Sequence, residues 1–168
     1  MTTWLEGKVV ENKQWCDDLF SLKISTSTLG FQAGQFVNIG LIDKLDNRIL
    51  GRPYSLINTP GESLLEIHFN VVQNGQLTPQ LAKLKAADTI QVSNRASGFL
   101  TVEEIPDVQH LWLFATGTGI GPFLSILKTP EPWLRFKKII LAYSVKTLEK
   151  LAYRDAFDEL QTHNPNQF

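Results

Sequence analysis

The stretch HLWLFATGTGIGPFLSILK, residues 110–128, decides how the second half of the chain folds. Its first six residues form an almost continuous apolar run, which is typical of a parallel strand covered on both faces. A glycine-rich turn (TGTGIGP, 116–122) follows, and a helix-like segment completes the stretch. Strand, turn and helix in this order predict the start of a doubly wound α/β sheet.

Two further segments continue this alternation. KKIILAYS (137–144) is predicted as a second buried strand. In a sheet of only two parallel strands, this second strand would be an exposed apolar edge strand. The α/β region is therefore expected to be incomplete, as a fragment of a longer protein or with a partner supplying the missing cover. TLEKLAYRDAFDELQ (147–161) is predicted as one amphipathic helix. Its inner face would carry Leu148, Leu151, Ala152, Ala156 and Leu160.

The first half of the chain has a different pattern. From Trp4 to about Leu100, short strands alternate with turn signals, which indicates an antiparallel barrel or sandwich. One helix over 77–85 interrupts them, with Thr78 as its cap and Pro79 at its first position. The clearest strands are LFSLKIS (19–25), AGQFVNIG (33–40), LLEIHFNVV (64–72) and TIQVS (89–93).

The pattern of apolar residues changes around VEEIPD (102–107), from short alternating strands to an alternation of strand and helix. We therefore predict two domains, residues 2–103 and residues 104–168. The 16 basic and 17 acidic residues give a net charge of −1, which argues against a nucleic-acid-binding protein. One cysteine and three scattered histidines predict neither a disulfide framework nor a metal site. No apolar run approaches membrane-spanning length and the start lacks a signal core, so we expect a cytoplasmic protein without a membrane association.

GRPYSLINTP, residues 51–60, carries the first candidate site. Arg52 and Tyr54 are two residues apart, so an extended chain places them on the same face. A cation beside an amphipathic ring suits an anionic, flat ligand better than a core. Pro53 indicates an edge strand or a strand end. A strand end with a surface arginine and a half-buried tyrosine explains the same residues without a ligand.

The glycine turn and the end of the next strand carry the second candidate site. The turn is no P-loop, because Pro122 and Phe123 stand where Lys and Ser or Thr would be, and it matches the dinucleotide fingerprint only loosely. A loop between a buried strand and a helix suits a phosphate, although a tight structural turn explains it equally well. LAYSVK offers Ser144 and Lys146 but no carboxylate, which suits NADP better than NAD. A solvated lysine is an equal alternative.

NGQLTP (74–79) is the third feature. Gly75 lets a backbone approach a ligand closely, and the following residues lead into a helix N-terminus that favours an anion. Taken alone, this is a capped helix in a loop. Together with Arg52 it would offer a charge and N–H donors to one pyrophosphate.

The order of four motifs, AGQF, RPYS, GQLTP and ATGTGIGPF, resembles that of the bacterial-type ferredoxin–NADP reductases over nearly the whole chain. The resemblance implies a six-stranded antiparallel FAD-binding barrel followed by an incomplete doubly wound parallel-sheet NADP-binding domain. The implied reaction moves hydride between NADPH and FAD, and single electrons to or from ferredoxin or flavodoxin. An NADH-dependent flavin reductase or oxygenase reductase component with the same barrel, and a non-catalytic barrel interaction module, are the alternatives.

The resemblance also implies residue roles. Arg52 would pair with the FAD pyrophosphate, Tyr54 would pack on the isoalloxazine ring, and Ser55 would hydrogen-bond near flavin N5, which makes Tyr54 and Ser55 the candidate catalytic residues. Because alternation sends Ser55 to the opposite face from Tyr54, the strand must bend or end there. The other expected cofactor-binding residues are Pro53, Phe69, Gln76, Leu77 and Thr78 for FAD, Thr118 against the flavin, and Val145 and Lys146 for NADP.

The family's later strands, its Cys-Gly segment and its terminal aromatic region have no counterpart in this sequence. We therefore expect a C-terminally truncated reductase that lacks full NADP-dependent activity by itself.

Overall fold

The computed structural model describes residues 3–27, 29–43 and 45–168. Residue 2, the predicted start of the first domain, lies outside the described residues. The strands are β1 (Trp4–Cys16), β2 (Leu19–Ser25), β3 (Phe36–Ile42), β4 (Ile49–Ser55), β5 (Leu64–Asn70), β6 (Thr89–Ser93), β7 (His110–Thr116) and β8 (Lys138–Ser144). The α-helices are α1 (Thr78–Leu81), α2 (Ile120–Leu127), α3 (Glu131–Arg135) and α4 (Arg154–His163).

The first six strands form one antiparallel sheet in the order β4-β3-β6-β1-β2-β5. The two end strands approach each other through an isolated bridge between Leu56 and Ile67, which draws the sheet towards a closed barrel. Apolar side chains form most of the interior, and a few buried polar side chains, such as Ser21 of β2 and Gln91 and Ser93 of β6, accompany them. The core includes Leu22, Ile24, Ile39, Ile67, Ile90 and Val92, all fully buried. The expected six-stranded antiparallel architecture is confirmed.

Strand β4 lies at one end of this sheet and pairs in a ladder with β3 alone. Pro53 stands opposite Asn38 of β3. Its missing N–H is tolerated here because an edge strand has no second neighbouring strand to which that N–H would have to donate. The strand ends at Ser55, as the alternation argument requires. The local sequence therefore predicts both the edge position and the end of β4.

The remaining chain contains a parallel pair, β7 and β8, with Leu111 opposite Ile139 and Leu113 opposite Leu141. Helix α2 packs behind the pair, as a doubly wound fold requires. The hydrophobic core of this α/β region is formed by Val102, Leu111, Leu113, Ile126, Leu127, Phe136 and Ile139. A partial parallel sheet with helices after the barrel confirms the predicted fold class. The division at residues 103 and 104 stays a prediction.

The prediction that β7 is covered on both faces is wrong for the described residues. Leu111, Leu113 and Ala115 are buried, whereas Trp112 is 57% and Phe114 71% exposed. The two exposed rings stack on each other with centroids 6.0 Å apart. Strand β8 is an edge strand, as predicted, but the large exposed apolar side chains of this sheet, Trp112 and Phe114, lie on β7.

The segment predicted as one helix over 147–161 is broken. A 3-10 turn covers Leu148–Lys150, and α4 begins at Arg154. Between them Tyr153 adopts a left-handed backbone with φ 63°. Leu148, placed on the inner face by helical periodicity, is 84% exposed. Periodicity fails here because the chain turns to bring Tyr153 onto the barrel.

Helix α1 is shorter than the predicted 77–85 and starts differently. Leu77 is its N-cap residue, and Thr78 is the first helical residue, so the predicted cap is wrong. The Thr78 hydroxyl instead accepts a hydrogen bond from the Val72 N–H at 2.9 Å. At the other end, the Asn12 amide donates to the carbonyls of Leu81, Ala82 and Leu84. No helix in the described part of the chain is long and apolar enough to cross a membrane.

Candidate cofactor and nucleotide sites

Arg52 and Tyr54 lie on the same face of β4, opposite Ile39 and Val37 of β3. The Tyr54 ring is half-buried and meets Phe69 edge-on, with ring centroids 6.1 Å apart. Burial raises the pKa of Tyr54 to about 12, although the positive charge of Arg52 acts in the opposite direction. The phenol therefore stays protonated at neutral pH, within the field of the guanidinium.

Arg52 itself is exposed. Its Nη1 atom donates to the carbonyl of Gly51 at 2.8 Å, and within the described residues the guanidinium forms no ion pair. The side chain lies on the open surface of β4, and neither Arg52 nor Tyr54 lines the cavity between the barrel and the α/β region. Its charge is consequently free to meet an anion that approaches this face from solvent.

The 74–79 loop is built around Val72. The Gly75 N–H donates to the Val72 carbonyl at 2.8 Å, and Thr78 accepts from the Val72 N–H. A Cβ on Gly75 would lie 3.0 Å from the Val72 Cβ, so this close turn favours glycine. Leu77 is buried in the core cluster against which Tyr54 packs, whereas Gln76 before it is exposed.

Helix α1 lies beside the β3–β4 hairpin. A cavity of about 220 Å³ is lined by Leu41, Ile42, Asp43 and Leu50 of the hairpin region and by Gln80 of α1. Leu50 is two residues before Arg52 and therefore on its face of the strand. Helix α1, which begins at Thr78, and strand β4, which carries Arg52, therefore lie next to each other.

Ser55 is half-buried at the end of β4, where α2 packs on the barrel. A Cβ on Gly121 would lie 3.8 Å from the Ser55 Cβ and 3.3 Å from Ile57, so helix α2 approaches this strand end closely. In the turn before α2, Gly117 has a positive φ of 51°, and added Cβ atoms at Gly117 and Gly119 would meet nothing within 4 Å. The glycine turn is therefore open to a ligand on that side.

A cavity of about 530 Å³ lies between the barrel and the α/β region. It is situated at the carboxyl ends of β7 and β8, where doubly wound sheets bind their ligands. The cavity brings together the predicted residues Thr118, Val145 and Lys146. The other lining residues are Asp18, Leu19, Asn70, Thr116, Gly117, Ser144 and Lys150.

Asp18 and Lys150 form an ion pair in this cavity, with 2.6 Å between Asp18 Oδ2 and Lys150 Nζ. The hydrogen bond from Lys150 lowers the pKa of the Asp18 carboxyl below its ordinary value. Sequence reasoning missed both residues. Asp18 lies in the turn between β1 and β2 and Lys150 lies in a 3-10 turn, and no motif marks either position.

A partly buried hydrogen-bond network holds the segment before α4 on the barrel. The Tyr153 hydroxyl is 2.8 Å from Glu66 Oε1 and 2.7 Å from the Ser21 hydroxyl, which also accepts from the Trp15 indole N–H at 2.7 Å. The Tyr153 and Trp15 rings lie 4.8 Å apart. Burial raises the pKa of Tyr153, so the phenol remains a donor.

His68 is buried beside this network. Burial lowers its pKa to about 4, and its Nδ1 lies 2.9 Å from the Phe20 carbonyl oxygen. A neutral ring that donates to a backbone carbonyl has a structural role. Among the described residues, no group of three or more His, Cys, Asp or Glu side chains could hold a metal ion.

Two protein families match the chain. The oxidoreductase FAD-binding domain matches residues 6–98, and the oxidoreductase NAD-binding domain matches residues 113–168. The chain therefore belongs to the family of oxidoreductases with this FAD-binding domain, followed by a region of the NAD-binding type. Its fold class and the resemblance drawn from the four motifs are both confirmed.

Within this class, the chain is similar to ferredoxin and flavodoxin reductases. It is 40% identical over 161 residues to the flavodoxin/ferredoxin–NADP reductase of Escherichia coli, covering 96% of this chain and 64% of that protein. It is 39% identical over 153 residues to the ferredoxin–NADP reductase of Azotobacter vinelandii, covering 90% and 58%. The chain thus spans less than two thirds of the length of these relatives.

A solved structure shows the same likeness. The ferredoxin NADP⁺ reductase of Neisseria gonorrhoeae, crystallised with FAD and NADP, superposes with a TM-score of 0.90 at 33% identity, covering 97% of this chain and 66% of that one. The roles of individual residues in this chain stay predictions.

Proposed function

We propose that this chain binds FAD on the β4 face of its barrel and a nicotinamide nucleotide in the cavity beside it. The intact protein would then move hydride between NADPH and FAD, and single electrons to or from ferredoxin or flavodoxin. The observation that carries this proposal is the position of Arg52, Tyr54 and the 76–78 segment on adjoining elements of an FAD-binding-domain fold. Similarity to the Escherichia coli reductase supports the same reaction.

Arg52 and the 76–78 segment would hold the FAD pyrophosphate. The guanidinium is free of ion pairs within the described residues, so binding an anion would displace only its hydrogen bond to Gly51. Gln76, Leu77 and Thr78 would contribute backbone groups to the same site, with Leu77 anchored in the core. The guanidinium of Arg52 presents its N–H donors as a fork, which can give two parallel hydrogen bonds to phosphate oxygens.

Tyr54, Pro53 and Ser55 would contact the ring system. The bound flavin supplies the redox chemistry, so the chain needs no general base and mainly orients it. Tyr54 offers an aromatic face supported by Phe69, and Ser55 offers a hydroxyl at the strand end where α2 meets the barrel. Because the pKa of Tyr54 is raised to about 12, the phenol stays neutral at neutral pH.

Thr118, Val145 and Lys146 would contact the nucleotide. All three line the cavity at the ends of the parallel strands, and Lys146 supplies a positive charge suited to a 2′-phosphate. A lysine offers a point charge, whereas an arginine would form two parallel hydrogen bonds with the phosphate. We therefore expect Lys146 to bind a 2′-phosphate less strongly than an arginine would.

An NADH-dependent reductase is the second candidate function. The observation that favours it is a carboxylate in the cavity, Asp18, which could accept from a ribose hydroxyl of NAD in place of its hydrogen bond from Lys150. Comparing the reduction rates by NADPH and NADH in the intact protein separates the two candidates. The proposed function requires faster reduction by NADPH.

The electron partner is proposed from the relatives alone. Ferredoxin and flavodoxin are the partners that the names of the Escherichia coli and Azotobacter vinelandii proteins indicate. A cytoplasmic location likewise stays a prediction.

Flavin binding tests the proposal. The chain is mixed with excess FAD, desalted, and its visible spectrum is recorded. We expect a retained yellow chromophore with about one flavin per chain, and FAD to be retained better than FMN or riboflavin because only FAD carries the pyrophosphate. A colourless protein after desalting would contradict the proposal.

A further inference from the structure

The cavity between the barrel and the α/β region contains three charged side chains: Asp18, Lys146 and Lys150. Within the described residues Lys146 forms no ion pair, whereas Lys150 is bound to Asp18 at 2.6 Å. The side chains of Lys150 and Asp18 are 26% and 44% exposed, so the pair faces solvent and is not sealed in a core. A ligand in the cavity would therefore meet one free cation and one cation already matched by a carboxylate.

The fold holds both partners of this ion pair. The Asp18 carbonyl accepts from the Val71 N–H at 2.7 Å, which fixes the turn between β1 and β2. The Lys150 carbonyl accepts from the Ala152 N–H at 3.0 Å, within the segment that Tyr153 anchors to the barrel. Because the two partners come from different regions 132 residues apart, their contact is set by domain packing. An anion that recruits Lys150 must compete with a carboxylate that stays in place.

We propose that Asp18 weakens, without abolishing, the preference of this cavity for a nucleotide with an additional phosphate, because it forms an ion pair with Lys150. This inference rests on the proposed nucleotide-binding function of the cavity. A fixed carboxylate next to a bound phosphate is repulsive, and it also withholds a hydrogen-bond donor. A ligand that lacks the second phosphate is affected less.

Binding of adenosine 2′,5′-bisphosphate to the FAD-loaded chain tests the proposal, with 5′-AMP as the comparison ligand. Calorimetry at low salt gives both affinities. We expect Asp18→Asn to bind the bisphosphate about three- to fivefold more tightly than the unchanged chain, the range typical of a partly exposed charge contact. The affinity for 5′-AMP should change by less than about twofold.

Asp17→Asn is the matched control, because it removes the same charge from the neighbouring exposed position. Within the described residues Asp17 forms no ion pair, so its substitution should leave the bisphosphate affinity unchanged. The gain from Asp18→Asn should disappear in the background of Lys150→Met. It should also shrink at about 0.5 M salt, where charge interactions are screened within a few ångström.

A second pair of variants tests the same claim without altering Asp18. Lys150→Met should lower the bisphosphate affinity about twofold and Lys146→Met about tenfold, since only Lys146 is free to meet the phosphate. Flavin content and thermal unfolding confirm that each variant folds.

Four results would overturn the inference: unchanged or weaker binding by Asp18→Asn, an equal gain from Asp17→Asn, a gain that persists without Lys150, or equal losses from the two lysine variants. If the unchanged chain binds the bisphosphate and Asp18→Asn binds it equally, only this inference fails. If no form shows saturable binding, the nucleotide part of the proposed function fails with it.

Discussion

The β4 face and the cavity between the two regions differ in how the fold treats their positive charges. On β4, Arg52 points to solvent with only a backbone carbonyl as its hydrogen-bond partner. In the cavity, Lys150 is neutralised by Asp18 from the opposite region of the chain. The charge of Arg52, which belongs to a local sequence motif, has no carboxylate partner among the described residues, whereas the charge of Lys150 is paired with a carboxylate that domain packing brings next to it. Within the described part of the chain, the unpaired cations of these two sites are thus Arg52 on β4 and Lys146 in the cavity. Lys150 is available to an anion only in competition with Asp18.

The largest expected effect concerns Tyr153, which makes one of the contacts between the barrel and the α/β region. Tyr153→Ala removes a ring packed on Trp15 and a hydroxyl bound to Ser21 and Glu66. We expect the free energy of unfolding to fall by about 3 kcal/mol. Tyr153→Phe keeps the ring and should cost about 1 kcal/mol. Chemical denaturation of both variants checks this, and equal losses would show that packing contributes little.

A smaller effect follows from tyrosine ionisation. All three tyrosines, Tyr54, Tyr143 and Tyr153, have pKa values raised by burial above the ordinary value of 10.0. A raised pKa in the folded state contributes stability that is complete below pH 10 and is lost as the pH rises towards the folded value, about 12 for Tyr54. Tyrosinate absorbance should stay low near pH 10.5 in the folded chain and appear on unfolding in denaturant at about the same pH. Half-maximal ionisation in the folded chain near pH 10 would contradict the burial of these rings.

The smallest effect concerns the Asp18–Lys150 pair. Its partners are partly exposed, so Asp18→Ala should change the free energy of unfolding by less than about 1 kcal/mol. The pKa of Asp18 is lowered, so its contribution is present above the ordinary value of 3.8 and is lost as the pH falls below it. Denaturation at pH 7 and pH 3 measures the difference. A loss of several kcal/mol at pH 7 would show that the pair supports the fold and does not merely tune the cavity.

Local sequence patterns predicted those features that depend on local physics. Strands β2 and β6 have the predicted bounds, and the alternating apolar residues of β2, Phe20, Leu22 and Ile24, are buried together in the core of the barrel. The edge position of Pro53 follows from its missing N–H. Lys146 could be linked to the glycine turn because it follows the next strand, whereas Thr118 was predicted from the family resemblance; both line the same cavity.

The features that sequence patterns missed depend on contacts between distant segments. Trp112 is apolar and lies in a strand, yet only the layers packed on that strand decide whether it is buried. The break before α4 comes from Tyr153 reaching the barrel, which overrides the helical period. The Asp18–Lys150 pair joins two turns separated by 132 residues, and neither turn carries a recognisable motif.

The central claim is that Arg52 holds the pyrophosphate of FAD while Tyr54 contacts the ring. The most direct test measures the affinities of FAD and riboflavin for the unchanged chain and for Arg52→Ala, with Arg48→Ala as a control at another exposed arginine. We predict that Arg52→Ala weakens FAD binding by about 2 kcal/mol or more and leaves riboflavin binding unchanged, because riboflavin has no phosphate. Arg48→Ala should change neither affinity. Equal losses for both ligands, or an unchanged affinity for FAD, would contradict the account.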